Sequence, residues 1–154
     1  MEQPGLQFVF EIRIEVTPGK LLEMGDVAKR VKKIVPILGG HFEGPGIKGT
    51  ILPGGYDWQF VRPDGVTEMD ARYVLKTDDK VLITVVNRCL RHGSPEAMRK
   101  IADGELADPS AYYFRTSPVF ETASAKYDRL NRHIFVANGI RKPDEVIIQV
   151  WQVL

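Results

Sequence analysis

The sequence predicts an all-β protein of antiparallel strands, folded as a sandwich or a closed barrel. Three observations carry this expectation. Apolar residues alternate with polar ones at the period of a strand, not of a helix. The apolar runs recur at near-regular spacing and are separated by turns rich in Gly and Pro, of which the 154-residue chain holds 14 and 10. Only one segment carries helix signals, and the absence of long helices between strands argues against a doubly wound α/β fold. The length is that of one domain, spanning residues 1–154, and it is sufficient to bury a core without a disulfide or metal staple.

Leu6, Phe8, Phe10, Ile12, Ile14 and Val16 alternate with Gln7, Glu11, Arg13 and Glu15, giving a half-buried first strand that Thr17-Pro18-Gly19 ends. Val31 to Leu38 reads as a strand with Pro36 at an edge or bulge, and Gly39-Gly40 permit a bend or a close backbone approach. Gly44-Pro45-Gly46, Pro53-Gly54-Gly55 and Pro63-Asp64-Gly65 are turns leading into strands at Ile47–Leu52, Tyr56–Arg62 and Val66–Lys76. Asp78-Asp79 leads into Val81–Cys89. Ser94 as N-cap, Pro95 at the first helical position and Glu96 at the positive end predict a helix running to about Asp103, where Gly104 stops it. Strands follow near Tyr112–Glu121, Arg132–Asn138 and Glu145–Val153, with a hairpin loop from Gly139 to Asp144.

Two strands are apolar on both faces. Val81, Ile83 and Val85 oppose Leu82 and Val86; Val146, Ile148 and Val150 oppose Ile147, Trp151 and Val153. A sheet with one wet face would alternate here, so the second face needs a cover: the helix, a terminal segment or another subunit. A homodimer built on this surface is expected.

Net charge is +1, which gives no broad attraction to nucleic acid or to an anionic membrane. The cluster Arg30, Lys32, Lys33 reads as a solvated strand edge. Cys89 is the only cysteine, so no internal disulfide can form, consistent with a reducing compartment. The opening MEQPGLQFVFEIRIEV lacks the pattern of a secretory leader, and no run approaches the roughly 18 apolar residues of a membrane helix. A cytoplasmic protein is expected.

The common catalytic signatures are missing. GGHFEGPG is glycine-rich but is not G-x-G-x-x-G and precedes a strand; Gly44 and Gly49 have P-loop spacing, but Thr50 stands where Lys is required. No Ser lies in G-x-S-x-G. His41, His92 and His133 are scattered, with Cys89 and His92 the only close pair, whereas zinc usually takes three or four ligands. Neither a metal nor a cofactor is expected.

Polar residues on strand faces remain. Asp57 shares a face with Gln59; Glu68, Asp70 and Arg72 share another; Asn87 closes the following strand; Tyr113, Arg115 and Glu121 share a face later. The plain reading of each row is a solvated sheet face with weakly paired charges. The functional reading is that some rows point into a barrel or cleft. Asp70 and Arg72 lie about 7 Å apart along their strand, close enough to flank one ligand. A carboxylate in an apolar pocket has a raised pKa and works as acid or base, and an Arg offers a planar fork to a carboxylate, enolate or phenolate. Of the aromatics nearby in sequence, Phe42, Tyr56, Trp58, Tyr73, Tyr112, Phe114 and Phe120, most pack in the core, leaving two or three to line a pocket for a flat or apolar ligand.

The stretches GGHFEGPGIKGTILPGGYDWQFVRPDGVTEMDARYVLKTDD and YYFRTSPVFETASAKYDRLNRHIFVANG, with the ending VIIQVWQVL, resemble the bacterial and fungal domain-of-unknown-function family numbered 3237. LPGG-x-DW followed by DGV and DARY is the specific part. The resemblance implies a calycin-like antiparallel β-barrel, here of about eight to ten strands with one short helix. It implies no particular reaction. It does include Asp57 and Trp58, Asp70 and Arg72, and Tyr113 to Arg115, while Cys89 stands near a position where the family suggests glycine.

The expected function is therefore small-molecule binding in a barrel, with cofactor-independent acid–base chemistry of isomerase, cyclase or lyase type on an oxygenated or aromatic metabolite. Asp57 or Asp70 would be the acid or base, Arg72 or Arg115 the oxyanion stabiliser, and Tyr113 a proton relay. Phe42, Trp58, Asn87, Phe114 and Glu121 complete the expected ligand contacts. The alternative is a lipocalin-like barrel that holds its ligand unchanged.

Overall fold

The computed structural model describes residues 2–17 and 20–154. Eleven strands and two α-helices follow one another: β1 (Leu6–Glu15), β2 (Leu22–Val27), β3 (Arg30–Ile37), β4 (Gly39–Gly44), β5 (Ile47–Ile51), β6 (Gly55–Val61), β7 (Thr67–Thr77), β8 (Leu82–Gly93), α1 (Pro95–Ala102), β9 (Tyr112–Glu121), α2 (Arg129–Arg132), β10 (Phe135–Arg141) and β11 (Glu145–Val153). All observed pairings are antiparallel. The order β7-β5-β4-β1-β11-β10-β9-β8 returns to β7, closing an eight-stranded barrel, and β6, β3 and β2 continue the sheet from β7 as extra strands.

The eight strands of the barrel agree with the eight to ten expected, while β2 and β4 were not legible as strands in the sequence, for two local reasons. The β2–β3 hairpin turns on Ala28 and Lys29, at φ 54° and 68°, without the Asn-Gly or Asp-Gly signal such a turn usually carries. β4 was hidden by its glycines: GGHFEG looks like a bend but lies against β1, where a Cβ on Gly40 would sit 2.0 Å from the Arg13 carbonyl oxygen. The second helix is a single turn around buried Leu130, too short for a periodic signal. Gly139 to Arg141 continue β10, so the hairpin loop is shorter than expected. Of the turn expected at Thr17-Pro18-Gly19, the last two residues lie outside the described residues. β3 is no sheet edge, since β2 and β6 flank it. Arg30 and Lys32 lie over the Phe60 ring, at 4.1 and 5.0 Å.

The barrel interior is divided. One end is closed by Phe10, Phe42, Phe120 and Phe135, which meet edge to face with ring centroids 5.6, 5.4 and 5.2 Å apart along the chain of contacts. Phe42, expected as a ligand contact, is thus buried in this packed cluster, away from the polar end. Leu75, Ile83 and Ile51 fill the space around the rings. The other end is polar, and α1 lies beside its mouth. Ser94 Oγ accepts from the Ala97 amide at 3.1 Å, capping the helix, which buries Ala97 and Ile101. Among the described residues no helix is long and apolar enough to cross a membrane.

Closure packs β4 tightly on β1. A Cβ at Gly44 would meet the Val9 carbonyl oxygen at 2.0 Å and Phe10 Cα at 2.7 Å, all of it barrel wall. Gly44→Ala is expected to cost about 3 kcal/mol. The neighbouring turn residue Gly46, at φ +75° with open space around it, should cost only about 1–2 kcal/mol as Gly46→Ala. Urea denaturation of the two variants checks the order; equal losses would show that β4 yields.

Candidate functional site

Strand register assembles the polar end of the barrel. Asp57 on β6 is opposite Val35 on β3 and Ala71 on β7, and Ala71 is opposite Asn87 on β8. One step along, Gln59 is opposite Lys33 and Met69, and Met69 is opposite Cys89. The next row runs Val61, Thr67, Arg91 and then Phe114 on β9. Residues of one row share a face, so the buried apolar side of β7 (Met69, Ala71, Tyr73) carries Asp57, Gln59, Asn87 and Arg91 inward with it. Ala71, standing between Asp57 and Asn87, is small enough to leave space.

That space is a chamber of about 40 Å³ walled by Asp57, Asn87, Cys89, Arg91, Phe114 and Arg141 among apolar side chains. Val35, Gln59, Arg91 and Arg141 belong also to the wall of a cleft of about 280 Å³, which reaches Lys33 and the Met98 and Ile101 side of α1. The chamber therefore opens at the barrel mouth, under the helix.

Gln59 Nε2 donates to Asp57 Oδ2 at 2.8 Å, while Asp57 Oδ1 is closed to solvent and has no partner. Burial raises the Asp57 pKa, against the Gln59 hydrogen bond and the attraction of Arg91 and Arg141. Burial, with repulsion from Arg141, pushes the Arg91 pKa down to about 10, so Arg91 stays charged at neutral pH. The Arg91 guanidinium lies 5.5 Å from the centre of the Phe114 ring, and its Nε has no hydrogen-bond partner. Burial raises the Tyr73 phenol and the Cys89 thiol, with Asp57 adding to both. Cys89 is therefore a protonated, buried thiol and a poor nucleophile. Tyr73 Oη and Asn87 Oδ1 are also buried and unpartnered. Chemically, the chamber offers one carboxyl group biased towards holding its proton, two guanidiniums and the amides of Gln59 and Asn87, all in low dielectric. No three His, Cys, Asp or Glu side chains converge on a metal-sized site among the described residues.

The structure divides the residues expected from the sequence. Asp57, Asn87 and Phe114 line the inner chamber. Trp58, Asp70, Tyr113 and Arg115 instead line a groove of about 1080 Å³ on the outer face of the sheet. Arg72 and Glu121 lie on the outer face beyond that groove, Arg72 beside Asp70 at 3.4 Å. The physical reason is parity. Asp70 and Arg72 alternate with Met69, Ala71 and Tyr73, which the core claims, and Tyr113 and Arg115 alternate with the core residues Tyr112 and Phe114. Arg91, Arg141 and Gln59 line the chamber and were not among the expected site residues. A signal for Arg91 was present: extending the β8 alternation Asn87, Cys89 by one step reaches it. The β6–β7 hairpin register would likewise have placed Gln59 beside Asp57 on the core side.

The family model described as Protein of unknown function (DUF3237) matches residues 4–153. A UPF0311 protein of Rhodopseudomonas palustris is 40% identical over 151 residues, 98% of this chain and 99% of the relative. A conserved protein of unknown function from the same species has a crystal structure with TM-score 0.95 at 39% identity, covering 100% of both chains. A beta-barrel like protein of Acinetobacter baumannii superposes with TM-score 0.85 at 35% identity, over 100% of this chain and 98% of the other. An enzyme from Penicillium herquei shares the fold, with TM-score 0.72 at 22% identity over 100% of this chain and 97% of that one.

The raised Asp57 pKa has a stability consequence. Between the ordinary carboxylate range and the raised value, the folded state binds more protons than the unfolded chain, so stability falls as pH rises through that window. Asp57→Asn removes this loss and retains an acceptor for Gln59. The variant is expected to melt above the wild type at neutral pH, with the advantage fading towards about pH 4. Thermal melts at both pH values check this; an advantage that does not change with pH would show that the Asp57 pKa is not raised.

Proposed function

The chain belongs to the DUF3237 family, and we propose that it binds a small organic molecule inside the barrel and moves a proton on it without a cofactor. The observation that carries this reading is the set of unpartnered polar atoms on the chamber wall: Asp57 Oδ1, Asn87 Oδ1 and Arg91 Nε. Buried polar groups are nearly always satisfied, and several orphans around one space mark where a ligand supplies the partners. Asp57 is the proton donor or acceptor. A proton taken from carbon beside a carbonyl leaves an enolate whose oxygen faces Arg91 and Arg141; returning the proton elsewhere isomerises the substrate, and loss of a neighbouring group makes the reaction a lyase step. Asn87 orients the ligand. The shared fold of the Penicillium herquei enzyme supports the idea that such a barrel can house catalysis.

The outer groove suits a second copy of this chain. Leu6, Trp58, Leu90, Tyr113 and Trp151 give it an apolar surface, with Glu68 and Asp70 on β7 and Arg88 and Arg115 on β8 and β9. A two-fold axis would set the acidic strand of one copy against the basic strands of the other. One buried, unreactive cysteine supports a cytoplasmic setting.

Native mass spectrometry of freshly purified protein tests both readings. The expected result is a dimer carrying a small molecule that is lost on denaturation and is absent from Ala71→Leu, which fills the chamber. A molecule retained by Ala71→Leu would place binding elsewhere, and a monomer would remove the dimer. With the recovered molecule as substrate, Asp57→Asn should lower turnover by roughly 10²–10⁴. Recovery of the molecule unchanged after long incubation would favour the lipocalin-like alternative.

A further inference from the structure

Resting on the reading that the inner chamber is the ligand site, we infer that its ligand is a small organic acid whose oxyanion sits between Arg91 and Arg141. Arg91 is 7% exposed, yet its side chain makes no ion pair or hydrogen bond with any described residue. Its guanidinium lies over the Phe114 ring. A buried guanidinium without a counter-charge is costly, and a bound oxyanion removes that cost.

The surroundings point the same way. Arg141 faces Arg91 closely enough to repel it, and its Nη1 donates only to the Lys142 carbonyl, at 2.9 Å. Lys33 adds a third cation to the mouth and also has no ion-pair partner among the described residues. Four acidic groups stand near these cations. Glu23 is opposite Lys33 on β2, without an ion pair between them. Asp57 is biased towards its protonated form and already accepts from Gln59. Asp103, at the mouth, is engaged by Arg99 at 3.1 Å. Asp144 attracts Arg141 without touching it. Arg91 and Arg141 are therefore left without an ion-paired counter-charge inside low-dielectric walls, where attraction for an anion is strong. Arginine pairs match a planar carboxylate, or the oxygen of an enolate or phenolate, by hydrogen bonds that a neutral group cannot equal.

The chamber also orients the acid. Beyond the two arginines the walls are Ile14, Ile37, Ala71, Val146 and Ile148 around Asp57 and Asn87. The charged end thus stays at the arginines, and a compact, uncharged end enters the 40 Å³ chamber beside Asp57. The wider cleft under α1 holds whatever remains of the ligand.

The test uses propionate and benzoate against their neutral counterparts propionamide and benzamide, titrated into ¹⁵N-labelled full-length protein. The expected result is that an acid binds at least about tenfold tighter than its amide, shifts the resonances of Gln59, Asn87 and Arg91, and weakens with added salt. Arg141→Gln should bring the affinity for the acid down to that for its amide; Arg91→Gln is the second variant, should the first fail to fold. Equal affinity of acid and amide in the chamber would overturn the anion inference and leave the proposed binding site standing. Shifts confined to Trp58, Tyr113 and Arg115 in the outer groove, or no shifts with any of the four probes, would overturn the inference and the chamber reading together.

Discussion

Everything in this molecule depends on how β7 closes the sheet. Along one edge it pairs with β8 from Thr67 to Lys76. Along the other edge it is shared: β6 takes Thr67 to Arg72, and β5 takes Leu75 to Thr77. The sheet is thereby joined into a ring, and its inner face is withdrawn from water on every side. An open sheet of the same strands would leave Asp57 and Arg91 hydrated, with ordinary acidities and no need of a partner. Closure converts a polar row into a site, because charge is expensive only where water cannot reach it.

The ring is filled unequally, and that too follows from side-chain size. Four phenylalanines meet at one end and exclude everything else. At the other end the inward positions go to Ala71, Asn87, Val16 and Val35, whose short side chains cannot span the barrel. The result is a plugged floor and a narrow chamber, with α1 over the rim. The Phe114 ring against Arg91, and Gly139 beneath the same ring, where a Cβ would lie 2.7 Å from its carbons, show how the packed half positions the polar half.

The inner and outer faces are chemically less different than in most barrels. Tyr56, Trp58 and Phe60 lie outside on β6 while Asp57 and Gln59 lie inside, the reverse of the usual partition. Arg30 and Lys32 cover part of this aromatic stripe. Such a strand gives up local hydrophobic burial to present polar groups inward, a sacrifice expected where the inward groups have work to do.

The sequence by itself determined the strand periodicity, most of the element boundaries and the pairing of residues on faces: Asp57 with Gln59, and Glu68 with Asp70 and Arg72. Period-two alternation is local chemistry and is written in consecutive residues. The helix was legible for the same reason, through Ser94 and Pro95. What only the tertiary structure decided is which face of β6 turns inward, and so which carboxylate is buried. On that strand the aromatic residues argue for one face and the structure chooses the other, because β6 must follow the register of β7, whose Met69, Ala71 and Tyr73 belong to the core. Arg141 reached the same chamber from a strand 50 residues beyond Arg91, brought there by β9, β10 and β11 closing the ring. Register between distant strands is set by the whole barrel's closure, and no short stretch of sequence contains it.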